Sequence, residues 1–420
     1  MKTKIGYLGR VEGEGGVEFE IQGGKLRRLK VNIWEPPRFF EGMLVGRRFD
    51  EVPDIVARIC GICPVSHMVT SIRAIEKAIG LEPNENMLLA RKIMSYSQIA
   101  SSHLVHLVML ALPDYYGKSS FMELLPGEEA LFKKFIRLKD VFNDITAAFG
   151  GGRALHPVSM VVGGFTALPD EKRIHGLRSG LFAAGEDVMD VFKTVSGFEL
   201  PDLKTDSEFV ALSEEGEYAI NKGRISSDMG LDGEEQDYGS LFYEKEVPYS
   251  NAKKTAVKGR GSLMVGALSR VSLQSDRLSE SARKLALEAG FMPGPGKNKN
   301  PFYNIRAQAI EIVHFTGECQ ALLDIVQSRT AFPKPVPKEG EGSALTEAPR
   351  GLLYHSYIID RRGIVRKANI ITPTAHNYLG IEENLRKLIE NNMDKPAKHL
   401  QLLAEALIRA YDPCFSCSVH

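Results

Sequence analysis

A chain of 420 residues with 43% hydrophobic and 25% charged residues can bury a large core, which excludes a disordered polypeptide. Lys plus Arg and Asp plus Glu number 53 each, so the formal charge of zero advertises neither a nucleic-acid partner nor an acidic membrane surface. Apolar stretches such as "LVMLALP" and "VSMVVGGFTAL" fall short of the roughly 18 residues of a membrane span, and "MKTKIGYLGRVEGEGG" lacks the apolar segment of a secretory signal.

In chain order, "VEFEI" at 17–21 alternates apolar and polar residues, "QGGK" turns, and "LRRLKVNIW" resumes, which predicts a β-hairpin within an N-terminal region, 1–40. The prolines of "EPPRFF" end regular structure. Helical spacing then takes over in "FDEVPDIVARIC", "SHMVTSIRAIEKAIG", "ENMLLARKIMSYSQIASSHLVHLVMLAL" and "GEEALFKKFIRLKDVFNDITAAFGG". From about 201 to 258 the texture becomes acidic and Gly-containing, as in "GEEQDYGSLFYEKEVPYS", and reads as a surface insertion. Helices return at "SARKLALEAG" and "NIRAQAIEIVHFTGECQALLDIVQSR", and "KPVPKEGEGSAL" reads as a loop. A second strand pair, "GLLYHSYIID" and "GIVRKANIITPT", precedes a last helix, "PAKHLQLLAEALIRAYD". The expectation is a mainly α fold with α+β additions, a long-helix bundle with small flanking sheets in one domain over 1–420.

The five cysteines carry the chemistry. Cys60 and Cys63 form one Cys-x-x-Cys in "RICGICPVSH", Cys414 and Cys417 a second in "DPCFSCSVH", and Cys319 stands alone as a buried, inert thiol. Such spacing does not read as a secreted disulfide scaffold. Two such pairs offer four thiolates, the donor set of structural zinc, an iron-sulfur cluster or a soft redox metal. A zinc ribbon usually places its second pair about 15–20 residues after the first; here the pairs lie near opposite ends, so a shared site ties the whole fold together. A thioredoxin-like dithiol explains one pair and leaves the other without a role.

The company of each pair resolves this. "RICGICPVSH" and "DPCFSCSVH" resemble the two cysteine motifs of the large subunit of nickel-iron hydrogenases, RxCGxCxxxH and DPCxxCxxH, in the right order. "GRVEG" is similar to that family's RxEG, "PRFFEG" to RGFE, "GGRALHP" to GGRxxHP, "EAPRG" to the arginine-bearing EAPRG, and "ITPTAHN" to the stretch beside the iron ligands. The compact chain most resembles the cytoplasmic, cofactor-coupled branch. The family's C-terminal extension is cleaved after the final histidine, so a chain ending at His420 resembles the mature form.

The resemblance implies the large-subunit hydrogenase fold and reversible heterolytic cleavage of H2 at a Ni-Fe centre whose iron carries carbon monoxide and cyanide. It implies Cys60 and Cys414 as terminal nickel ligands, and Cys63 and Cys417 as bridges to iron. Cys414 or Arg350 assists with the proton, and Glu12 relays it outward. Arg350, Asp114 and Asp412 match a polar canopy over the open metal position, Pro373 and Thr374 line the iron ligands, and His67 hydrogen-bonds a bridging thiolate. Glu41, the carbonyl of Ile370, and His420 match a second site for magnesium or iron. His103 and His106, three apart on a helix, read instead as histidines in the bundle wall.

Two departures stand out. Glu14 follows "GRVEG" where the family often has histidine, and "AHN" replaces a tryptophan, so Thr374 and His376 set the polarity there. With four cysteines used, no set remains for an iron-sulfur cluster and no glycine-rich strand-to-helix motif suggests a nucleotide. The resemblance therefore implies an iron-sulfur small subunit as partner, then diaphorase, flavin or iron-sulfur subunits leading to NAD(P), ferredoxin, a deazaflavin or a disulfide reductase. A zinc-tetrathiolate structural protein and a quinone-reducing respiratory-complex relative are the competing readings; the latter has lost the cysteines that this chain retains.

Overall fold

The computed structural model describes residues 2–292, 294 and 296–419. The alternating N-terminal sequence forms an antiparallel sheet in the order β1 (Lys2–Ile5), β2 (Gly15–Gln22), β3 (Lys25–Ile33). Gln22 pairs with Lys25 across the expected two-glycine turn, and Val17, Phe19, Val31 and Ile33 point into the core.

A short helix α1 (Phe40–Leu44) follows, entered through Phe39 at φ 54°, a left-handed backbone for an exposed aromatic residue. Helix α2 (Pro64–Ile79) opens on proline, whose fixed φ and missing N–H suit the first helical position, so the chain turns into the helix directly after Cys63. Helix α3 (Glu85–Val105) is capped by Asn84, which accepts from the Met87 N–H at 2.9 Å. It widens into a π-helical stretch, His106–Ala111, before a final turn, Leu112–Tyr115. Helix α4 (Leu125–Phe149) packs on α3. One hydrophobic cluster runs from Ile5 to Val419 and includes four of the cysteines at the metal motifs.

The stretch expected to be a surface insertion also carries part of the interior. Strand β4 (Glu208–Ser213) is almost wholly buried and pairs with β5 (Arg224–Ser227). Val210, Leu212, Ile225, Tyr238 and Phe242 join a second core with Leu345, Leu352 and Tyr354. The acidic texture misleads because its carboxylates are used internally: Glu208 accepts from Arg260 at 2.8 Å, and Glu235 from Arg73 at 2.8 Å.

Helix α5 (Asn304–Ile325) crosses α3. The antiparallel sheet of β6 (Gly340–Ala348), β7 (Gly351–Ile359) and β8 (Val365–Ile371) then leads into α6 (Pro373–Asn391), α7 (Ala397–Ala410) and α8 (Phe415–Ser418). The glycines of "KEGEGSAL" begin β6 rather than a loop. They are needed because α2 lies directly on this strand: a Cβ on Gly342 meets the carbonyl oxygen of Ala74 at 2.1 Å, and one on Gly340 meets that of Ala78 at 2.0 Å. Gly342→Ala is accordingly expected to destabilise the protein by about 1–3 kcal/mol through overpacking. Gly239→Ala, with nothing within 4 Å of its added methyl, serves as the control. Equal thermal midpoints for the two variants would contradict this packing.

Candidate metal centre

The first thiol pair sits on the turn entering α2, where the Ile62 N–H donates to Cys60 Sγ at 3.3 Å. The second arrives from the end of α7. Asp412, at φ 51°, turns the chain, the Cys414 N–H donates to Thr374 Oγ1 at 2.9 Å, and the Phe415 N–H to the carbonyl of Glu12 at 2.8 Å. Glu12 and Cys414 thereby form a parallel bridge. Gly13 at φ 84° makes that approach possible, because a side chain there would meet the Ser416 nitrogen at 2.6 Å.

The four thiols converge. Cys60 Sγ lies 3.6 Å from Cys414 Sγ, Cys63 3.9 Å from Cys417, and Cys414 2.7 Å from Cys417. All four are buried. Hydrogen bonds from Cys414, Cys417 and Cys63 pull the Cys60 thiol well below its ordinary range. For Cys63 the bond to Cys417 pulls downward, but the bond to Cys60 and burial outweigh it. Burial drives Cys414 well above, the pull from Cys417 being outweighed, and burial together with the three neighbouring sulfurs drives Cys417 well above. One thiolate thus suppresses ionisation of the other three, and a cationic metal is what allows such a set to deprotonate together.

Above the sulfurs, Arg350 donates from Nε to the Asp412 carbonyl at 2.6 Å and from Nη2 to Asp412 Oδ1 at 2.8 Å. Burial disfavours the guanidinium, but the Asp412 carboxylate, then Cys414, Cys60 and Cys63, outweigh it, so Arg350 stays charged. Its Nη1 is buried with no hydrogen-bond partner among the described residues. Arg350 lines a small pocket, with room for about 10 Å³ of water-sized probe, together with Cys63, His67, Ala348, Pro349, Leu353, Pro373, Thr374, Cys414 and Cys417. An orphaned donor in a dry pocket walled by thiols suits a metal centre carrying small polar ligands.

Glu12 accepts from Cys414 Sγ at 2.8 Å and from the Ser416 N–H at 3.2 Å, with the Ser416 hydroxyl on its other oxygen. His67 lines the cavity beside Cys63, its Nδ1 lying 3.2 Å from His355 Nε2. Glu41 meets Ile370, accepting its N–H at 2.7 Å, while His420 lies outside the described residues. Cys319 is buried away from the centre, and burial raises its thiol.

Two expectations are corrected. Asp114 belongs to a different cluster, pairing with Arg409 at 2.7 and 2.8 Å and with Arg10 at 2.5 Å rather than with Arg350. Asp114 follows the π-helical stretch, in the last helical turn before Tyr116. His376 points away from the cavity: it bonds the Tyr238 hydroxyl at 2.7 Å and the Thr372 carbonyl at 2.9 Å, and burial lowers it to about 4.

Sequence reasoning missed three residues. Arg38 ties the two motifs together, donating from Nη2 to the carbonyls of Ile59 at 2.6 Å and Ser416 at 2.7 Å. Gln308 donates to Asp412 Oδ2 at 3.1 Å. Arg270 is wholly buried and holds the carbonyls of Ala348 at 3.0 Å and Pro349 at 3.2 Å, which places Arg350. Only Arg38 lies in a stretch with a motif signal.

The family described as nickel-dependent hydrogenase matches residues 38–134 and 310–420. Sulfhydrogenase 1 subunit alpha of Pyrococcus furiosus is 35% identical over 424 residues, covering 99% of this chain and 97% of its own. The NAD-reducing hydrogenase HoxS subunit beta of Cupriavidus necator is 25% identical, over 100% of this chain and 94% of its own. In fold, a crystal structure of an NAD+-reducing NiFe-hydrogenase in the H2-reduced state superposes with a TM-score of 0.84 at 24% identity, covering 100% of this chain and 99% of that one. A reduced Ni-Fe-Se hydrogenase from Desulfomicrobium baculatum superposes at 0.81 and 22% identity, covering all of both chains. This chain belongs to the nickel-dependent hydrogenase family, as the large catalytic subunit of a nickel-iron enzyme.

Proposed function

We propose that the chain cleaves H2 reversibly and heterolytically, so that H2 yields two protons and two electrons, at a Ni-Fe centre held by its four converging cysteines. Cys60 and Cys414 would hold nickel, Cys63 and Cys417 would hold nickel and iron together, and Pro373 and Thr374 would line the space beside the iron and its small ligands. The carrying observation is the unpartnered Nη1 of Arg350 above four thiols. The thiol spacing also suits a zinc tetrathiolate, but a closed structural site has no use for a guanidinium nitrogen left unpartnered beside it.

The metal pair supplies the electron-accepting positions for dihydrogen. Arg350, fixed on Asp412, presents a charged donor over the thiols without room for bulk water. Cys414 Sγ holds the first released proton and passes it to Glu12 Oε2, 2.8 Å away. Glu12 is partly exposed and carries it outward. Glu41 and the carbonyl of Ile370 would contribute to a second site, for magnesium or iron.

Electrons leave through an iron-sulfur small subunit and continue through diaphorase or iron-sulfur subunits to NAD(P) or ferredoxin, in the cytoplasm. Relatives named as alpha and beta subunits of sulfhydrogenase and of NAD-reducing hydrogenase support a multisubunit arrangement. Among the described residues no helix is long and apolar enough to cross a membrane.

Protein from its native host is expected to contain about one nickel per chain together with iron, and zinc without nickel would refute the proposal. Cys414→Ser should abolish hydrogen uptake; a surviving rate would sink the proton step. Glu12→Gln should retain the metals but lose roughly 10²–10⁴-fold in hydrogen oxidation with an artificial electron acceptor, the usual contribution of a positioned acid-base group. A near-normal rate in that variant would remove Glu12 from the path.

A further inference from the structure

A second pocket, of about 260 Å³, opens beside the turn that carries the first thiol pair. Helix α3 contributes Gln98, Ser101 and Ser102 to it, three and four residues apart on one face, and α4 contributes Lys139 and Asn143. Ile62 of the thiol turn and Leu155 of the "GGRALHP" loop wall it.

Its polar groups are donors short of acceptors. Ser102 is 3% exposed, and its Oγ has no hydrogen-bond partner among the described residues. Earlier on the same helix the Ser97 hydroxyl is satisfied by Thr146 at 2.8 Å. The Ser66 N–H donates to Gln98 Oε1 at 3.2 Å, which fixes that amide and leaves Nε2 as a donor without a partner among the described residues. Ser101 donates to Asn143 Oδ1 at 3.0 Å, which likewise leaves the Asn143 amide nitrogen unused. Lys139 is half-buried and, among the described residues, makes no ion pair or hydrogen bond. No described carboxylate lines the pocket. One ammonium, two amide donors and an orphaned hydroxyl match a singly charged oxygen acceptor, and the walls of Ile62 and Leu155 suit an apolar stem behind it.

The surroundings indicate where that acceptor comes from. Leu155 and Val158 are 56% and 46% exposed, on a loop that His156 ties to the Ala57 carbonyl at 3.0 Å. Phe39, 71% exposed, follows Arg38, which holds the Ile59 carbonyl at 2.6 Å. Both segments fastened to the Cys60 turn therefore present apolar side chains to solvent, and Gly61, between the two thiols, is itself exposed. Apolar residues clustered around a polar recess are the anatomy of an interface with an anchor site.

We propose that this pocket receives the carboxylate of an Asp or Glu of the iron-sulfur subunit, with Lys139 as its counter-ion and Ser102 and Gln98 as its hydrogen-bond donors. The identity of the partner rests on the function proposed above, whereas the carboxylate is called for by the donors in the pocket. In the free chain water fills the recess. Docking replaces that water by the acidic side chain, so Lys139 gains its ion pair only in the complex.

The test is the association of the two subunits in the complex purified from its native host. Lys139→Gln should weaken association at least roughly tenfold, the loss expected when one partner of an enclosed charge pair is removed. Lys139→Arg should restore most of it, and neither substitution should change the nickel content. Association in Lys139→Gln with the affinity and salt sensitivity of the wild type would overturn the anchor and leave the hydrogenase reading intact. A water-soluble carbodiimide, which condenses a lysine amine with a carboxylate in contact with it, identifies the partner group in the unsubstituted complex. Peptide mass spectrometry should find Lys139 joined to an Asp or Glu of the iron-sulfur subunit, and Lys139 joined only to carboxylates of its own chain would refute the proposal. A metal-loaded chain that purifies without any second subunit would overturn the partner, and the anchor with it.

Discussion

The buried guanidinium of Arg270 is the constraint on which the site depends. It spans Glu311 with two bonds, at 2.6 and 2.7 Å, reaches Glu347 at 3.0 Å, and grips the carbonyls of Ala348 and Pro349. Glu311 also receives the Tyr218 hydroxyl at 2.6 Å and meets His103 at 2.7 Å. Burial opposes the Glu311 charge, but Arg270 outweighs it and holds this carboxyl below its usual range, while burial pushes Glu347 up to about 7. Replacing such an ion network by apolar side chains often costs nothing, whereas removing one member costs on the order of 3–5 kcal/mol because a charge is stranded. The network therefore specifies geometry more than it adds stability. It fixes the turn between β6 and β7, and Arg350 is the residue on that turn.

Arg350 in turn balances the charge of the sulfurs. A cavity this dry cannot hold several thiolates without cations, and the protein supplies one permanently, tied to Asp412 by two bonds. Asp412 is reached from its other side by Gln308 and His106. The site thus rests on buried charges linked through the interior, from Arg270 past Glu347 to Arg350 and Asp412. Each residue is placed by the partner behind it, which is why a structure with so little room around the sulfurs needs so much buried polarity.

The centre itself was readable from the sequence because metal chemistry is local in pattern. Two Cys-x-x-Cys units, with Arg350 and Glu12 in short recognisable stretches, carry a signal that survives without a structure. The supporting network was not readable, since Arg270, Glu311 and Gln308 are residue types that usually face solvent, and nothing in their spacing shows that they are buried. The same ambiguity produced the surface reading of 201–258, where acidic residues turn out to be internal acceptors. Gly340 and Gly342 looked like loop punctuation because glycine serves both flexibility and close approach, and only the position of α2 decides between them. Asp114 failed for a different reason: a motif match names a residue but not its partner, and Asp114 pairs with Arg409 and Arg10.

The two ends of the chain meet at the sulfurs, and this couples closure to metal binding. Cys414 and Cys417 reach their partners only when residues 412–419 dock, through the Phe415 N–H on Glu12, the Cys414 N–H on Thr374, and Arg38 on Ser416. Undocking leaves Cys60 and Cys63 in place on α2 but removes half the donor set. A metal held by all four sulfurs binds the docked form and not the undocked one, so its binding free energy is added to the docking equilibrium. Conversely, every hydrogen bond that fastens the C-terminal segment raises metal affinity by the same amount. Gly13, Arg38 and Thr374 touch no sulfur-bound ion in this arrangement, yet each contributes to how tightly the ion is held.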